Sequence, residues 1–485
     1  MKKDYDIIII GSGVVGSAIA RELARYQLKI GVLEKELDVC TQTSGRNTGM
    51  LHAGFTYQSG SLKAQCSVEG NAEFDKVARE LDVPFKRTGK LIIGFTDEDM
   101  ESLLRFKARG EANGVPGLEI IDRKAMDKID ASAGGNFAMY SPTSGILNPF
   151  IYNIALAENA KINGVDFYFN HEVTAIQSNA DASHDVTTTY GVFHTRWVIN
   201  SAGLNSAKIS EMLGIPGYTL GGYKGEYFVL DKKAGAFSKI PIYPAPNKNG
   251  GFATHATPTV DGNVLVGPDS LLVDDFTDYN ATQSAMNGLI ADGQKMFKHM
   301  KREYFIRNFA GIRPKLINPK TKKVLDFQLE TRENIPNAVN LVGIESPGLT
   351  SALPLARRVV QKIAEKEHLI KNELFNPIRK GIVCFAQQNE ETKARLIAQD
   401  SNYGEIVCRC EQVTRAEILQ ALHNPLGVCT VNSVKVRTRA SMGRCQGGYC
   451  ETRITELIRQ ELLKSEKNVR LSDADSYMFA GKVRE

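Results

Sequence analysis

Four thiols and three glycines carry the chemistry that the chain announces most directly. Cys408-x-Cys410 is followed, after 34 intervening residues, by Cys445-x4-Cys450. Such short spacing lets one loop present two sulfurs with little added ordering cost, so two close pairs can wrap a soft metal centre. Structural zinc is the rival occupant, although zinc sites more usually space their cysteines two residues apart. At the other end, Gly11-x-Gly13-x-x-Gly16 is followed 18 residues later by Glu34. Gly11 allows a tight turn, Gly13 lets backbone approach a pyrophosphate, and Gly16 permits close helix–strand packing. A helix start there offers N–H groups and partial positive charge to phosphates, and Glu34 can accept ribose hydroxyls. The motif alone does not separate NAD from FAD.

The elements around these residues suit the assignment. Ile7 to Ile10 read as a strand buried on both faces, Val14 to Tyr26 as a helix, and Lys29 to Leu33 as a second strand, which together make a βαβ unit. A Gly-rich stretch over 41–60 leads into a helix from about Leu62 to Glu80. Residues 97–130 are helical in pattern, 166–190 and 195–200 read as strands, and 218–267 suggest antiparallel strands with long loops. Val339 to Gly343 form another buried strand before a helix over Ser351 to Lys366. Residues 367–403 read as a linker or surface arm, and no internal repeat is present.

Composition narrows the class. Hydrophobic residues are 42% and charged residues 24% of 485, so the chain can bury a large core. A net charge of +5 is too thin over this length to argue for nucleic acid. No apolar run approaches the roughly 20 residues of a membrane span. The apolar start resembles a signal peptide only weakly: Asp4 and Asp6 stand where positive charge is expected, and the run breaks at Gly11. A cytoplasmic location is expected, with peripheral membrane attachment left open. Eight cysteines are too sparse for a disulfide scaffold, and six of them fall in the last hundred or so residues. Cys429 and Cys384 fit no pair and are expected to be buried.

Ser44 to Gly54, including His52–Ala53–Gly54, resembles the segment beneath the flavin in the D-amino-acid oxidase superfamily. Val198 to Gly203 resembles that group's second strand-and-glycine turn, and Gly343 with Gly348–Leu349–Thr350 resembles its C-terminal flavin-contacting helix start. The similarity spans most of residues 1–370 and implies FAD. Gly60 to Ala64, Val68 to Asn71, Lys224 to Phe228, Ile242–Tyr243–Pro244, His255 and Val266–Gly267–Pro268 resemble the L-2-hydroxyglutarate dehydrogenases and oxidases. Ala310 to Pro314 is shared more widely, with the FAD-dependent glycerol-3-phosphate dehydrogenases. Cys408 to Thr414 and Arg437 to Cys450 look like the bacterioferritin-associated-ferredoxin type of [2Fe-2S] domain, as found in anaerobic glycerol-3-phosphate dehydrogenase.

The resemblance implies an α/β body, with a Rossmann-like, glutathione-reductase-like FAD-binding domain interwoven with an antiparallel substrate domain. A small helical iron–sulfur domain follows. FAD-binding segments are expected at about 1–85, 145–215 and 305–370, the substrate domain at about 86–144 and 216–304, a linker over 371–402, and the BFD-like domain over 403–485. Gly11, Ser12, Gly13, Gly16, Glu34, Lys35, Thr43, Ser44, Arg46, Asn47, Met50, Val173, Ala202, Gly203, Gly343, Gly348, Leu349 and Thr350 are expected to hold FAD. Cys408, Cys410, Cys445 and Cys450 would ligate the cluster, with Arg437, Arg439 and Arg444 offsetting its negative charge.

Such a flavin site needs a base for the hydroxyl proton and a cation for the substrate's acid group. His52 and His255 are the base candidates, because imidazole titrates near working pH. Arg313 is the anion candidate, its planar fork matching carboxylate or phosphate. Lys63 and Lys224 are further sources of positive charge, and Tyr227 and Tyr243 of hydrogen bonds. The expected activity is a dehydrogenase oxidising a small anionic 2-hydroxy acid, with L-2-hydroxyglutarate in the lead. Glycerol 3-phosphate comes second, then amino or imino acids. An electron-transfer adaptor is the alternative of a different class. A cluster beside a flavin converts hydride chemistry to single-electron delivery, which implies a quinone or a partner redox subunit as acceptor. Association with another flavoprotein subunit is open.

Overall fold

The computed structural model describes residues 3–246 and 252–481. The two residues that open the basic start, and 247–251 within the strand-rich stretch, lie outside them.

The chain opens with β1 (Lys3–Ile10), α1 (Val14–Leu23) and β2 (Ile30–Leu33). Parallel neighbours flank β1 on both sides, which is why Ile7 to Ile10 form an unbroken apolar run with no polar face. Every residue of α1 is buried. After α2 (Leu62–Leu81), β3 (Lys90–Gly94) departs for a second sheet. The chain returns through α3 (Pro149–Ile162), β4 (Asp166–Tyr168) and β5 (Gly191–Asn200). Asn148 caps α3 by accepting the Ile151 N–H, and Pro149 occupies the first turn, where its missing N–H costs nothing.

Next come β6 (Leu220–Leu230), β7 (Ile242–Pro244), β8 (His255–Pro258) and β9 (Phe305–Leu316), and then β10 (Ile335–Val342) and α4 (Gly348–Ala364). The parallel heart of the first sheet runs β4, β2, β1, β5, β10. Helices α1, α3 and α4 pack together around a shared apolar core. The second sheet has nine described strands, antiparallel except where β7 lies parallel to β3. Its longest pairing, β6 with β9, sets Tyr223 opposite Arg313. Side chains alternate along a strand, so Arg313 and Lys315 share one face.

The C-terminal region forms a hairpin of 406–408 with 413–414, a helix over 415–422, α5 (Val431–Thr438) and α6 (Glu451–Glu461), around its own core of Val407, Ile418, Val434 and Ile454. No helix among the described residues is long and apolar enough to cross a membrane. Two sequence expectations change. The 97–130 stretch is two helices with a strand, Glu119–Asp122, between them, because Ile120 and Ile121 complete the edge of the second sheet. Cys384 and Cys429 are half-buried, and the Cys429 sulfur takes a hydrogen bond of 2.6 Å from Lys464 Nζ.

Candidate active site

At the end of β1 the backbone turns through Gly11 at φ +96°, where a Cβ would stand 2.8 Å from the Ser201 carbonyl oxygen. A Cβ on Gly16 would overlap the Gly11 carbonyl. The glycine fingerprint is thus a steric demand of this turn. Gly13 caps α1 without a side-chain partner, and the Val14 N–H donates to Ser44 Oγ at 3.0 Å. A cavity of about 110 Å³ lies beside this turn, lined by Gly11, Gly13, Glu34, Lys35, Thr43, Ser44, Val173, Ala202 and Gly203. The Glu34 carboxylate accepts from the Ser12 N–H and Ser12 Oγ, both at 2.8 Å, while burial pushes its proton affinity up. Backbone donors, absent Cβ atoms and a buried acid are the donor set a dinucleotide requires.

A larger cavity of about 1140 Å³ continues from it, also lined by Gly13, Thr43, Ser44 and Gly203. Arg46, Asn47, Met50, Gly348 and Leu349 line it with His52, His255 and Arg313, so the three catalytic candidates face one space. Ser12, Gly16, Gly343 and Thr350 line neither cavity. Their work is in the backbone: Gly343, at φ +73°, packs on Leu316, and Thr350 Oγ1 accepts the His52 N–H at 3.0 Å. Asn47 shapes the flavin loop by donating to the Thr43 and Ser44 carbonyls and accepting from the Gly49 N–H.

His52 is half-buried, with Nε2 3.3 Å from Ser346 Oγ. Burial, reinforced by the Lys90 charge and opposed by Glu345, pushes its proton affinity down to about 3. His255 stacks on Tyr243 at 3.7 Å between ring centroids, and its Nδ1 faces the Ala253 carbonyl at 3.3 Å. Its Nε2 is buried and has no hydrogen-bond partner among the described residues, and burial holds the ring well below the usual histidine range. Both imidazoles are therefore neutral at pH 7. Among the described residues Arg313 donates to neutral acceptors only, the Tyr223 and Asp269 carbonyls and Ser270 Oγ.

The other sequence-named cations are placed differently. Lys63 is taken by Glu345 at 2.7 Å, and Lys224 is buried against Asp278 at 2.9 Å, away from the cavity wall. Tyr227 and Tyr243 do line the cavity. Lys315, Lys322 and Lys323, unmarked in the sequence, supply charge instead. So, from behind the wall, does Lys90. It is fully buried, its Nζ has no hydrogen-bond partner among the described residues, and it sits 3.3 Å from the Tyr243 ring centroid, with Phe252 and Phe55 further out. Burial pushes Lys90 down to about 7. A lysine heading an apolar strand was the sequence signal. Because its charge lowers both histidines, Lys90→Met is expected to raise their proton affinity. The acid limb of the pH–rate profile should move up, with no loss of thermal stability, since an unpaired buried amine is exchanged for a packed thioether. A pH–rate profile and a melting curve check this together.

In the C-terminal region the sulfurs interact in two pairs, Cys408 with Cys450 and Cys410 with Cys445. Two sulfur pairs are what a dinuclear cluster, with two thiolates on each iron, requires. A Cβ on Gly443 would overlap Cys410 Cβ, and Gly447 turns at φ +91°. Gly443→Ala is therefore expected to abolish most cluster loading, read as lost iron and lost visible absorbance beside an intact flavin band. The arginines do not offset the cluster as the sequence suggested. Arg437 is buried against Asp38 at 2.6 Å, Arg439 pairs with Glu411 and Asp261, and Arg444 with Asp231. They bind this region to the body, because carboxylates brought there by the fold offer a fixed partner at short range.

Comparison with known proteins agrees with these two constellations. Residues 6–362 match the FAD dependent oxidoreductase family, and residues 406–460 the BFD-like [2Fe-2S] binding domain. The chain is 37% identical over 485 residues, 99% of each chain, to a glycerol 3-phosphate dehydrogenase of Caloramator mitchellensis. It is 29% identical to a mitochondrial L-2-hydroxyglutarate dehydrogenase of Nematostella vectensis, over 75% of this chain and 91% of that one. The solved structure of L-alpha-glycerophosphate oxidase from Mycoplasma pneumoniae, with FAD bound, superimposes with a TM-score of 0.73 at 27% identity, covering 78% of this chain and 98% of that one. With a glycine cradle that admits no Cβ at one end and a paired-cysteine domain at the other, the chain belongs to the FAD-dependent oxidoreductases of the DAO family, an enzyme carrying FAD in its body and a [2Fe-2S] cluster in its C-terminal domain.

Proposed function

We propose that the enzyme is a dehydrogenase of glycerol 3-phosphate, oxidising its secondary hydroxyl to the ketone. The observation that carries this reading is the charge on the cavity wall. Arg313, Lys315, Lys322 and Lys323 come from the end of β9 and the loop after it, and among the described residues none has a carboxylate within ion-pair distance. The cavity's own acids are Asp269 and Glu345, and Glu345 is taken by Lys63. Cations concentrated on one short segment suit a compact dianion such as phosphate better than two carboxylates at opposite ends of a substrate. The full-length likeness to the Caloramator dehydrogenase supports the same substrate. L-2-hydroxyglutarate, the lead on sequence alone, becomes the second reading, favoured by the Nematostella relative.

When bound, FAD supplies a two-electron hydride acceptor and the cluster a one-electron carrier. The chain's own residues do the rest. Arg313 and the three lysines hold the phosphate. His52, neutral and half-exposed to the cavity, takes the hydroxyl proton as the carbon–oxygen bond becomes a carbonyl. His255, its Nε2 buried, stacks on Tyr243 to form a wall that excludes water. The test is kcat/KM with a one-electron dye as acceptor. Glycerol 3-phosphate is expected to exceed L-2-hydroxyglutarate by about a hundredfold or more, the value of a well-placed charged hydrogen bond or two. A reversed ratio would overturn the assignment.

A further inference from the structure

A single short segment of the body has a cofactor region on each side. Residues 38–45 follow β2 and Glu34, and Cys40, Thr43 and Ser44 line the cavity that carries the donor set of a dinucleotide. The far side of this segment is covered by the C-terminal region. Asp38 accepts from both terminal nitrogens of Arg437, at 2.6 and 3.0 Å, and the two side chains are 5% and 1% exposed. Val39 and Cys40 share an apolar core with Leu426 and Val428, and with Ile154 and Ala157 of α3. Glu158, also on α3, stands between Arg437 at 3.8 Å and Arg379 of the linker at 2.7 Å. Body, linker and C-terminal region therefore meet in one buried ion network behind the cavity wall.

Both sides of this joint are held by their surroundings. Cys40 stands at φ +65°, a left-handed conformation that a non-glycine residue keeps only where its neighbours impose it. A Cβ on Gly45 would overlap the Cys40 carbonyl, so the segment is tightly folded on itself. The Asp38 carboxylate is tolerated in its buried place because Arg437 answers it, and breaking such a pair is strongly unfavourable. Arg437 lies in the last turn of α5, and the loop after it carries Cys445 and Cys450. Within that loop Arg439 and Ser441 both stand at φ +70°, and Ser441 Oγ lies 3.4 Å from Cys450 Sγ. Ligation orders the chain that supplies the ligands, so ligated Cys445 and Cys450 hold the end of α5 in place. Packed interfaces of this kind change between discrete arrangements and do not yield gradually.

We propose that Asp38 and Arg437 are positioning residues that couple the two cofactor sites, so that FAD and the cluster each tighten the binding of the other. With the cysteines ligated, the 439–450 loop is fixed and Arg437 is seated. Seated Arg437 fixes Asp38, and with it the wall segment 38–45 that lines the dinucleotide cavity. Linkage makes the effect equal in both directions. The coupling needs the two cofactors alone and holds whichever substrate the enzyme takes.

The test measures the FAD affinity of the full-length chain from the fluorescence of free flavin, with the cluster intact and after an iron chelator has removed it anaerobically. Removal is expected to weaken FAD binding by about tenfold. Asp38→Asn combined with Arg437→Met removes both charges, so neither is left buried and unpaired. In that double variant, removing the cluster should change FAD affinity by less than about twofold, a loss of coupling that a merely structural role would not produce. Arg437→Lys keeps the charge without the fork and should give an effect between the two. Melting curves report that each variant is folded, and the wild-type comparison decides without any substitution. The proposal is overturned if cluster removal leaves the FAD affinity of the wild-type chain unchanged. It is equally overturned if the double variant shows the full wild-type weakening, which would route the coupling elsewhere.

Discussion

Asparagine in place of His52 is expected to slow reduction of the flavin by glycerol 3-phosphate by about 10²- to 10⁴-fold, the range over which a positioned general base contributes. His52 is singled out because it is partly exposed where it lines the cavity, whereas the His255 ring stacks on Tyr243 and its Nε2 is buried. Asparagine keeps a polar group of similar reach toward Ser346 but cannot take the proton. The loss should therefore fall on the chemical step, with substrate affinity little changed. His255→Asn should cost about tenfold or less, through looser packing. Single-turnover mixing under anaerobic conditions separates the two, and equal losses would refute the assignment. The pH dependence follows from the same environment. A base pushed down to about 3 stays neutral through the acid range, so wild-type flavin reduction should remain flat from pH 8 to about pH 5. An acid limb near 6.5 would place the essential base elsewhere.

Arg313→Ala should raise KM for glycerol 3-phosphate by about a hundredfold, the value of roughly 3 kcal/mol of charged hydrogen bonding, while kcat falls by less. The guanidinium is held in place by the Tyr223 and Asp269 carbonyls and Ser270, and its charge is not spent on a carboxylate. Removing it takes away binding made equally in the ground and transition states, which appears in KM. Lys315, Lys322 and Lys323 remain, so activity at saturating substrate should survive. An unchanged KM would remove Arg313 from the substrate site.

The cofactor end of this account was legible in the sequence because its signals are local. Three glycines, a flanking strand and helix, and an acid 18 residues on all lie within one βαβ unit, and the four cysteines come from two short segments, although their sulfurs meet across those segments. What was not legible depends on contacts between distant segments. Lys63 and Lys224 looked available until Glu345 and Asp278 were seen beside them. Lys315 gained a place at the site only through the β6–β9 register, and Lys90 through the parallel pairing of β3 with β7, which carries Tyr243. The arginines near the cysteines were read as partners of the cluster because sequence shows only neighbours. Arg437 in fact reaches Asp38, 399 positions away.

The central claim, that electrons from a phosphorylated alcohol enter the flavin and leave through the cluster of the same chain, is tested most directly by one anaerobic titration. Purified enzyme is mixed with glycerol 3-phosphate in steps while the visible spectrum is followed, and samples are frozen for electron paramagnetic resonance. Bleaching of the flavin band together with a reduced [2Fe-2S] signal is the predicted result. A flavin band unmoved by glycerol 3-phosphate but bleached by L-2-hydroxyglutarate would contradict the substrate, and a bleached flavin beside a cluster that stays oxidised would contradict the route.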